Sequence, residues 1–252
     1  LARALGALGW KLVLTDIAPF PDPLPPGATF TRADLNDGPA ILRLAEGCGM
    51  ILHFGGVSVE RPFEEVLGPN IRGLYHIYEA ARREKARVLF ASSNHAIGFH
   101  ERSEPLDADC QFLPDGYYGL SKAYGELMGR MYWYKHGVEN VNVRIGSSFP
   151  EPVDARMLST WLSYADMRQL VERSLDAPRV GFLISYATSN NRQAFWDNKY
   201  ASILGYRPQD TADAFTDKVL AKTEQGDPED PQVKFQGGIF CKWGHWEDQQ
   251  KS

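Results

Sequence analysis

What most constrains this chain is an alternation that starts at Lys11. Short apolar runs ending in Gly, Ser, Asn or Asp are separated by stretches with helical character. The runs are "KLVLTD" (11–16), "MILHFGG" (50–56), "RVLFASSN" (87–94) and "VNVRIGSSF" (141–149). Between them lie "GPAILRLAEG" (38–47), opened by Pro39 and closed by Gly47, "NIRGLYHIYEAARREK" (70–85), and a stretch from Tyr118 to His136 that stops before Gly137. Runs that are apolar throughout suit strands covered on both faces, and strand–helix alternation makes such strands parallel. The predicted fold class is therefore α/β, a doubly wound parallel sheet. After Phe149 the rhythm becomes helical and irregular. Residues 1–150 are expected to form the sheet domain and residues 151–252 a smaller substrate-facing lobe that does not fold independently.

Composition narrows the partners. A chain of 252 residues with 43% hydrophobic content can bury a sizeable core. Its net charge is −5 and its Lys and Arg are scattered, which argues against nucleic-acid and anionic-membrane surfaces and for a small molecule. No apolar run approaches the roughly 18 residues of a membrane span. Cys48, Cys110 and Cys241 stand far apart without a CxxC pair or a neighbouring His, so neither a disulfide framework nor a metal site is expected. A reducing cytoplasm fits.

In open parallel sheets, ligands bind in the crevice beyond the carboxyl ends of the strands. Asp16, "GGVS" (55–58), "SSN" (92–94) and "GSS" (146–148) all fall there. Any one of them alone is ordinary turn chemistry; four together mark a site.

Tyr118 and Lys122 are four residues apart at the start of a helix, so both side chains face one point. A phenol with a pKa of roughly 10 is too weak a base at neutral pH, and a nearby ammonium favours the phenolate. Ser93, at a strand end, is placed to orient the oxygen that exchanges the proton. Tyr-x-x-x-Lys alone is common and more often belongs to an amphipathic helix. Here it follows "ASSN" by about 25 residues and precedes a strand ending in "RIGSS".

In that order and spacing the chain resembles the extended short-chain dehydrogenases, with a Rossmann-like sheet and a Ser, Tyr and Lys set. "HFGGVSVERPFEEVL", "VLFASSNHAIGFH", "YYGLSKAYGE", "VRIGSSFPEPVDARMLSTWLS", "FWDNKYASILGYRPQD" and "VKFQGG" resemble the uronate dehydrogenases within that group, across nearly the whole chain. The resemblance implies NAD-dependent oxidation of C1 of D-glucuronate or D-galacturonate to the aldarolactone. Tyr118 would then be the general base, with Lys122 holding the nicotinamide ribose and Ser93 the reacting oxygen. Ser58, Asn94, His95 and Ser147 would line the sugar, and Arg156 in "DARMLST" would bind its carboxylate. Asp16 would accept the adenosine ribose hydroxyls and disfavour a 2′-phosphate. Asp34 and Leu35 would meet the adenine; Phe54, Gly55 and Gly56 would pass the pyrophosphate and ribose; Ile145 would lie near the nicotinamide. Glu60 and Arg61 would shape the loop carrying Ser58. The family forms homo-oligomers, so a homo-oligomer is expected.

Two rivals share these features: a nucleotide-sugar epimerase or dehydratase, and a dinucleotide-sensing protein without activity. One departure from the family stands out. The chain opens at Leu1, without Met, in what matches the family's first helix, so the first strand and its Gly-rich loop are missing. Gly6 and Gly9 follow no strand and do not replace that loop. The reading is a truncated record: this chain would bind NAD weakly, and a version with the preceding segment restored would turn over uronate.

Overall fold

The computed structural model describes residues 1–223 and 226–249. Its centre is a four-stranded parallel sheet in the order β3-β4-β5-β8, formed by β3 (Met50–His53), β4 (Arg87–Ser93), β5 (Asn140–Ile145) and β8 (Phe182–Ala187). A parallel pair, β1 (Leu12–Asp16) and β2 (Ala28–Arg32), is a separate sheet, and β6 (Ser147–Ser148) pairs with β7 (Trp161–Leu162). The helices relevant to the site are α2 (Gly38–Leu44), α4 (Gly73–Glu84), α5 (Tyr117–His136), α6 (Met157–Thr160) and α7 (Tyr164–Asp176). α1 (Ala2–Ala7) precedes β1, and α3 (Phe63–Val66) leads through a π-helical segment, Leu67–Arg72, into α4.

The period of two along β4 builds both faces of the core. Val88 and Phe90 pack with Ile41, Leu74, Ile77, Tyr78 and Tyr132 from α2, α4 and α5. Leu89 points the other way, into a cluster with Val141, Val143, Leu170, Val171 and Leu183. The run of β4 is thus covered on both faces, as its composition predicts, whereas the run of β1 is largely exposed, with Val13 47% accessible. α5 stops at Gly137, which takes a φ of 69° open to glycine. α7 starts at Ser163, whose hydroxyl accepts from Asp166 N at 3.0 Å.

A buried ion pair fixes α5 on the sheet. Arg144 of β5 donates through Nε and Nη2 to Glu126 of α5 at 3.0 and 2.9 Å, and the two side chains are 1% and 0% exposed. Ser92 of β4 adds a hydrogen bond to the same carboxylate at 2.6 Å. Helix and both strand ends therefore hold a common register, which sets where the residues of the first turn of α5 project.

The sheet is interrupted: β1 pairs only with β2, and a cavity of about 1590 Å³ lies between β1 and β3. Three features differ from the sequence expectation. β2, "ATFTR", has an alternating, largely exposed pattern that no apolar run announces. β8 falls after residue 150 yet joins the main sheet beside β5, because Leu183 and Ile184 are needed to complete its core. "VNVRIGSSF" is also broken, with Gly146 turning the chain from β5 into β6. No helix among the described residues is long and apolar enough to cross a membrane, and the three cysteines are free.

Candidate active site

Ser93 ends β4, and its hydroxyl caps the short turn Asn94–Ile97 by accepting from His95 N at 3.2 Å. α5 runs alongside, presenting Tyr118 in its first turn and Lys122 one turn later, both buried. The Lys122 ammonium lies 5.4 Å from the centre of the Tyr118 ring and 5.1 Å from that of Phe90. A hydrogen bond with the Ser93 hydroxyl pulls the Tyr118 phenol toward lower pKa. The sequence-predicted trio is therefore assembled.

Its electrostatics differ from the expectation. Burial pushes the Tyr118 phenol above its ordinary range and Asp115 adds to this, outweighing the Ser93 hydrogen bond. Lys122 does not hold it below that range here, because its ammonium donates to the Ala91 carbonyl at 2.7 Å. Burial lowers Lys122 itself to about 8. Unfolded lysine titrates near 10.4, so folding a charged Lys122 costs ~3 kcal/mol at neutral pH. Between about 8 and 10.4 the unfolded chain binds the extra proton, so this cost fades as pH rises. Lys122→Met is accordingly expected to abolish turnover while raising the unfolding free energy at pH 7 by ~1–3 kcal/mol, a gain that disappears toward pH 10. Urea unfolding at both pH values checks this; equal loss of stability at both would contradict it.

Arg156 reaches Asn94, the residue that follows Ser93. Its Nε donates to the Gln236 carbonyl at 2.6 Å and its Nη1 to Ser147 Oγ at 3.4 Å. The hydrogen-bond network orients the Asn94 amide so that its nitrogen donates to the Ile145 carbonyl (3.0 Å) and its oxygen accepts from Arg156 Nη2 (2.6 Å). Ser147 also exchanges a hydrogen bond with Thr160 at 2.9 Å. Arg156 has no carboxylate within ion-pair distance among the described residues; burial lowers it to about 10, against the longer-range pull of Asp154 and Asp115, so it is still charged at neutral pH. Each terminal nitrogen retains one N–H beyond its protein contact, the fork that matches a carboxylate.

His95 joins the two halves. Its Nδ1–H donates to Asp115 Oδ2 at 2.6 Å, its ring stacks on Phe240 with centroids 3.9 Å apart, and its edge meets Tyr118 at 5.7 Å. With Nδ1–H donated to Asp115, the other ring nitrogen of His95, Nε2, is the one placed to accept. Phe240 is stacked in turn on Trp243. Asp115, Phe240 and Gln236 are site residues that the sequence reading passed over. Asp115 was within reach, three residues before Tyr118. Phe240 and Gln236 sit in an irregular segment without periodicity, where only the fold reveals what they touch.

Of the residues assigned to the dinucleotide, Asp16, Asp34, Leu35, Phe54, Gly55 and Gly56 line the large cavity, whereas Tyr118, Lys122 and Ile145 do not. Asp16, exposed at the end of β1, accepts from Ala18 N through Oδ1 (2.9 Å), which leaves its other oxygen for ribose hydroxyls. Asp34 accepts from Asn36 N and Nδ2 at 2.8 and 2.9 Å, shaping the turn. Gly56 has a φ of 115°, and a Cβ there would lie 2.6 Å from Asn70 Oδ1, so only glycine allows this backbone path. Ile145 ends β5 between this cavity and the Arg156 cluster. Ser58 lies exposed on the loop after Gly56. Two carboxylates for hydroxyl groups, Asp16 and Asp34, and the close backbone approach at Gly55 and Gly56 are features a dinucleotide can use.

The NAD dependent epimerase/dehydratase family model matches residues 1–171. A uronate dehydrogenase of Pseudomonas syringae pv. tomato is 50% identical over 238 residues, covering 94% of this chain and 86% of the relative. The crystal structure of a glucuronic acid dehydrogenase from Chromohalobacter salexigens superposes with a TM-score of 0.93 at 41% identity, covering 97% of this chain and 92% of that one. A tyrosine-to-alanine mutant of the Agrobacterium tumefaciens uronate dehydrogenase, complexed with NAD, superposes at 0.91 with 43% identity, covering 95% and 91% of the two chains.

Proposed function

Because the chain belongs to the NAD dependent epimerase/dehydratase family and, within it, to the uronate dehydrogenases, we propose how its residues divide the work of oxidising a uronic acid with NAD. The reaction removes a hydride from the substrate carbon and a proton from its hydroxyl. When bound, NAD supplies the hydride acceptor. Asp16 holds the adenosine ribose, Asp34 and Leu35 the adenine side, and Phe54, Gly55 and Gly56 the stretch that follows, with Ile145 beside the nicotinamide. Tyr118 takes the proton of the C1 hydroxyl, Ser93 orients that oxygen, and Lys122 offers its ammonium to the ribose and to the developing phenolate. The product is the aldarolactone.

The observation that carries this reading is the half-buried Arg156, positively charged, with no carboxylate within ion-pair distance among the described residues, and hydrogen-bonded to Asn94, the residue after Ser93. A half-buried guanidinium in that state is a receptor for an anion, and a sugar carboxylate matches its fork. Asn94, Ser147 and the Nε2 of His95 supply further contacts for sugar hydroxyls, with Ser58 at the loop side. Leaving such buried polar groups unpaired rejects sugars lacking those groups.

The test follows absorbance at the NADH band for a version of the chain carrying the family's first strand and Gly-rich loop, with NAD and free uronates, neutral aldoses or nucleotide sugars. Net NADH from free uronates and none from nucleotide sugars is expected. An epimerase or dehydratase would return its hydride within the cycle, and NADH absent from every sugar would mark a sensing protein; either result would overturn the proposal. The free cysteines suit a reducing cytoplasm. Leu120, Leu127, Met131 and Tyr134 leave an exposed apolar stripe along α5, which favours a homo-oligomer paired through that face, checked by sedimentation.

A further inference from the structure

Tyr118 sits in the first turn of α5, where backbone N–H groups have no partner within the helix. Gly116, immediately before the helix, has no side chain to cap them. The cap comes from a residue 57 positions earlier. Glu60 Oε1 accepts from Tyr117 N at 2.9 Å, and Glu60 Oε2 accepts from Tyr118 N at 2.9 Å. A carboxylate here makes charge-assisted hydrogen bonds and is aligned with the helix dipole. The approach depends on Gly116, since a Cβ at that position would lie 2.4 to 2.8 Å from the Glu60 carboxyl atoms.

The loop that carries Glu60 is tied to the same turn a second time. Asn70 accepts from Val57 N (2.7 Å) and donates to Val57 O and to Ser121 Oγ (both 2.9 Å). Ser121 Oγ donates in turn to Tyr118 O at 2.7 Å. Asn70 belongs to the π-helical segment Leu67–Arg72, whose wider turn redirects side chains and is often found at functional sites. Tyr118 is therefore held at its amide by Glu60 and at its carbonyl through Ser121 and Asn70. Both ties lead to the loop of residues 57–60, which includes Ser58.

From this we infer that Glu60 is a positioning residue for the general base: by gripping two amides of the turn, it sets the distance between the Tyr118 phenol and the substrate-facing loop. The inference rests on the reading of Tyr118 as the base. Glu60 touches neither reactant, so its effect falls on the chemical step. A misplacement of about an ångström costs roughly a hundredfold in rate.

The test combines Glu60→Ala and Glu60→Gln with steady-state kinetics on uronate and on uronate deuterated at C1. Glu60→Ala is expected to lower kcat about tenfold to a hundredfold with KM for NAD and uronate within about twofold, and to raise the deuterium isotope effect on kcat. Glu60→Gln keeps one accepting oxygen and is expected to recover most of the rate. Gly116→Ala pushes the carboxylate away from the other side and should reproduce the Glu60→Ala kinetics, which keeps the test decisive if Glu60→Ala fails to fold. Lower thermal stability with unchanged kcat and isotope effect in the folded variants would reduce Glu60 to an ordinary helix cap and overturn the inference. Failure of Tyr118 as base would show differently, as full activity in Tyr118→Phe.

Discussion

Tyr118→Phe is expected to lower kcat by about a thousandfold while leaving NAD affinity within a factor of about two, the scale on which a positioned general base contributes. The phenyl ring fills the same buried volume, so the fold and the Phe240 and His95 contacts persist; what is lost is the hydroxyl. Burial and Asp115 keep the phenol above its ordinary range, so at neutral pH it is protonated. The wild-type rate should therefore climb as pH rises through the alkaline range, and the residual rate of Tyr118→Phe should lack that dependence. Stopped-flow and steady-state profiles read both. A variant that keeps the wild-type rate and pH profile would remove Tyr118 from the mechanism.

The second large effect concerns Arg156→Lys, which conserves charge and discards geometry. The guanidinium makes hydrogen bonds to Gln236, Ser147 and Asn94 at once and still offers two N–H groups. An ammonium has three donors in total and cannot satisfy that set. Hydrogen bonds to charged groups are worth about 1.5–3 kcal/mol, so KM for uronate is expected to rise about tenfold to a hundredfold with KM for NAD little changed. Discrimination between a uronate and the matching neutral aldose should shrink by the same factor, since the aldose never used the fork. Unchanged uronate kinetics would refute the assignment.

What could be read from sequence was whatever local periodicity encodes. β4 is apolar on both faces because helices cover both faces, β5 buries Val141 and Val143 on one face and Asn140, Asn142 and Arg144 on the other, and the four-residue step from Tyr118 to Lys122 is a property of any α-helix. The ends of β1, β3, β4 and β5 carried Asp16, Gly55, Ser93 and Ser147 toward one side of the sheet, as parallel topology requires. β2 escaped because an edge strand with one exposed face has no apolar run. Glu60 illustrates the same limit at the level of a side chain. Its sequence neighbours suggest a loop residue, whereas its hydrogen bonds lie far along the chain, on the turn that holds Tyr118. The direction of the Tyr118 shift was missed for an energetic reason: helical spacing brings the ammonium near, but burial and the Ala91 carbonyl decide what it does there.

The most direct test of the central claim, that Arg156 grips a carboxylate while the opposite end of the same sugar gives up hydride and proton beside Tyr118, is the fate of a label. With NAD and a uronate deuterated only at C1, the account predicts that the reduced cofactor, read by mass spectrometry, carries the deuterium. Reduced cofactor without deuterium would place the oxidised carbon elsewhere on the sugar and contradict the account.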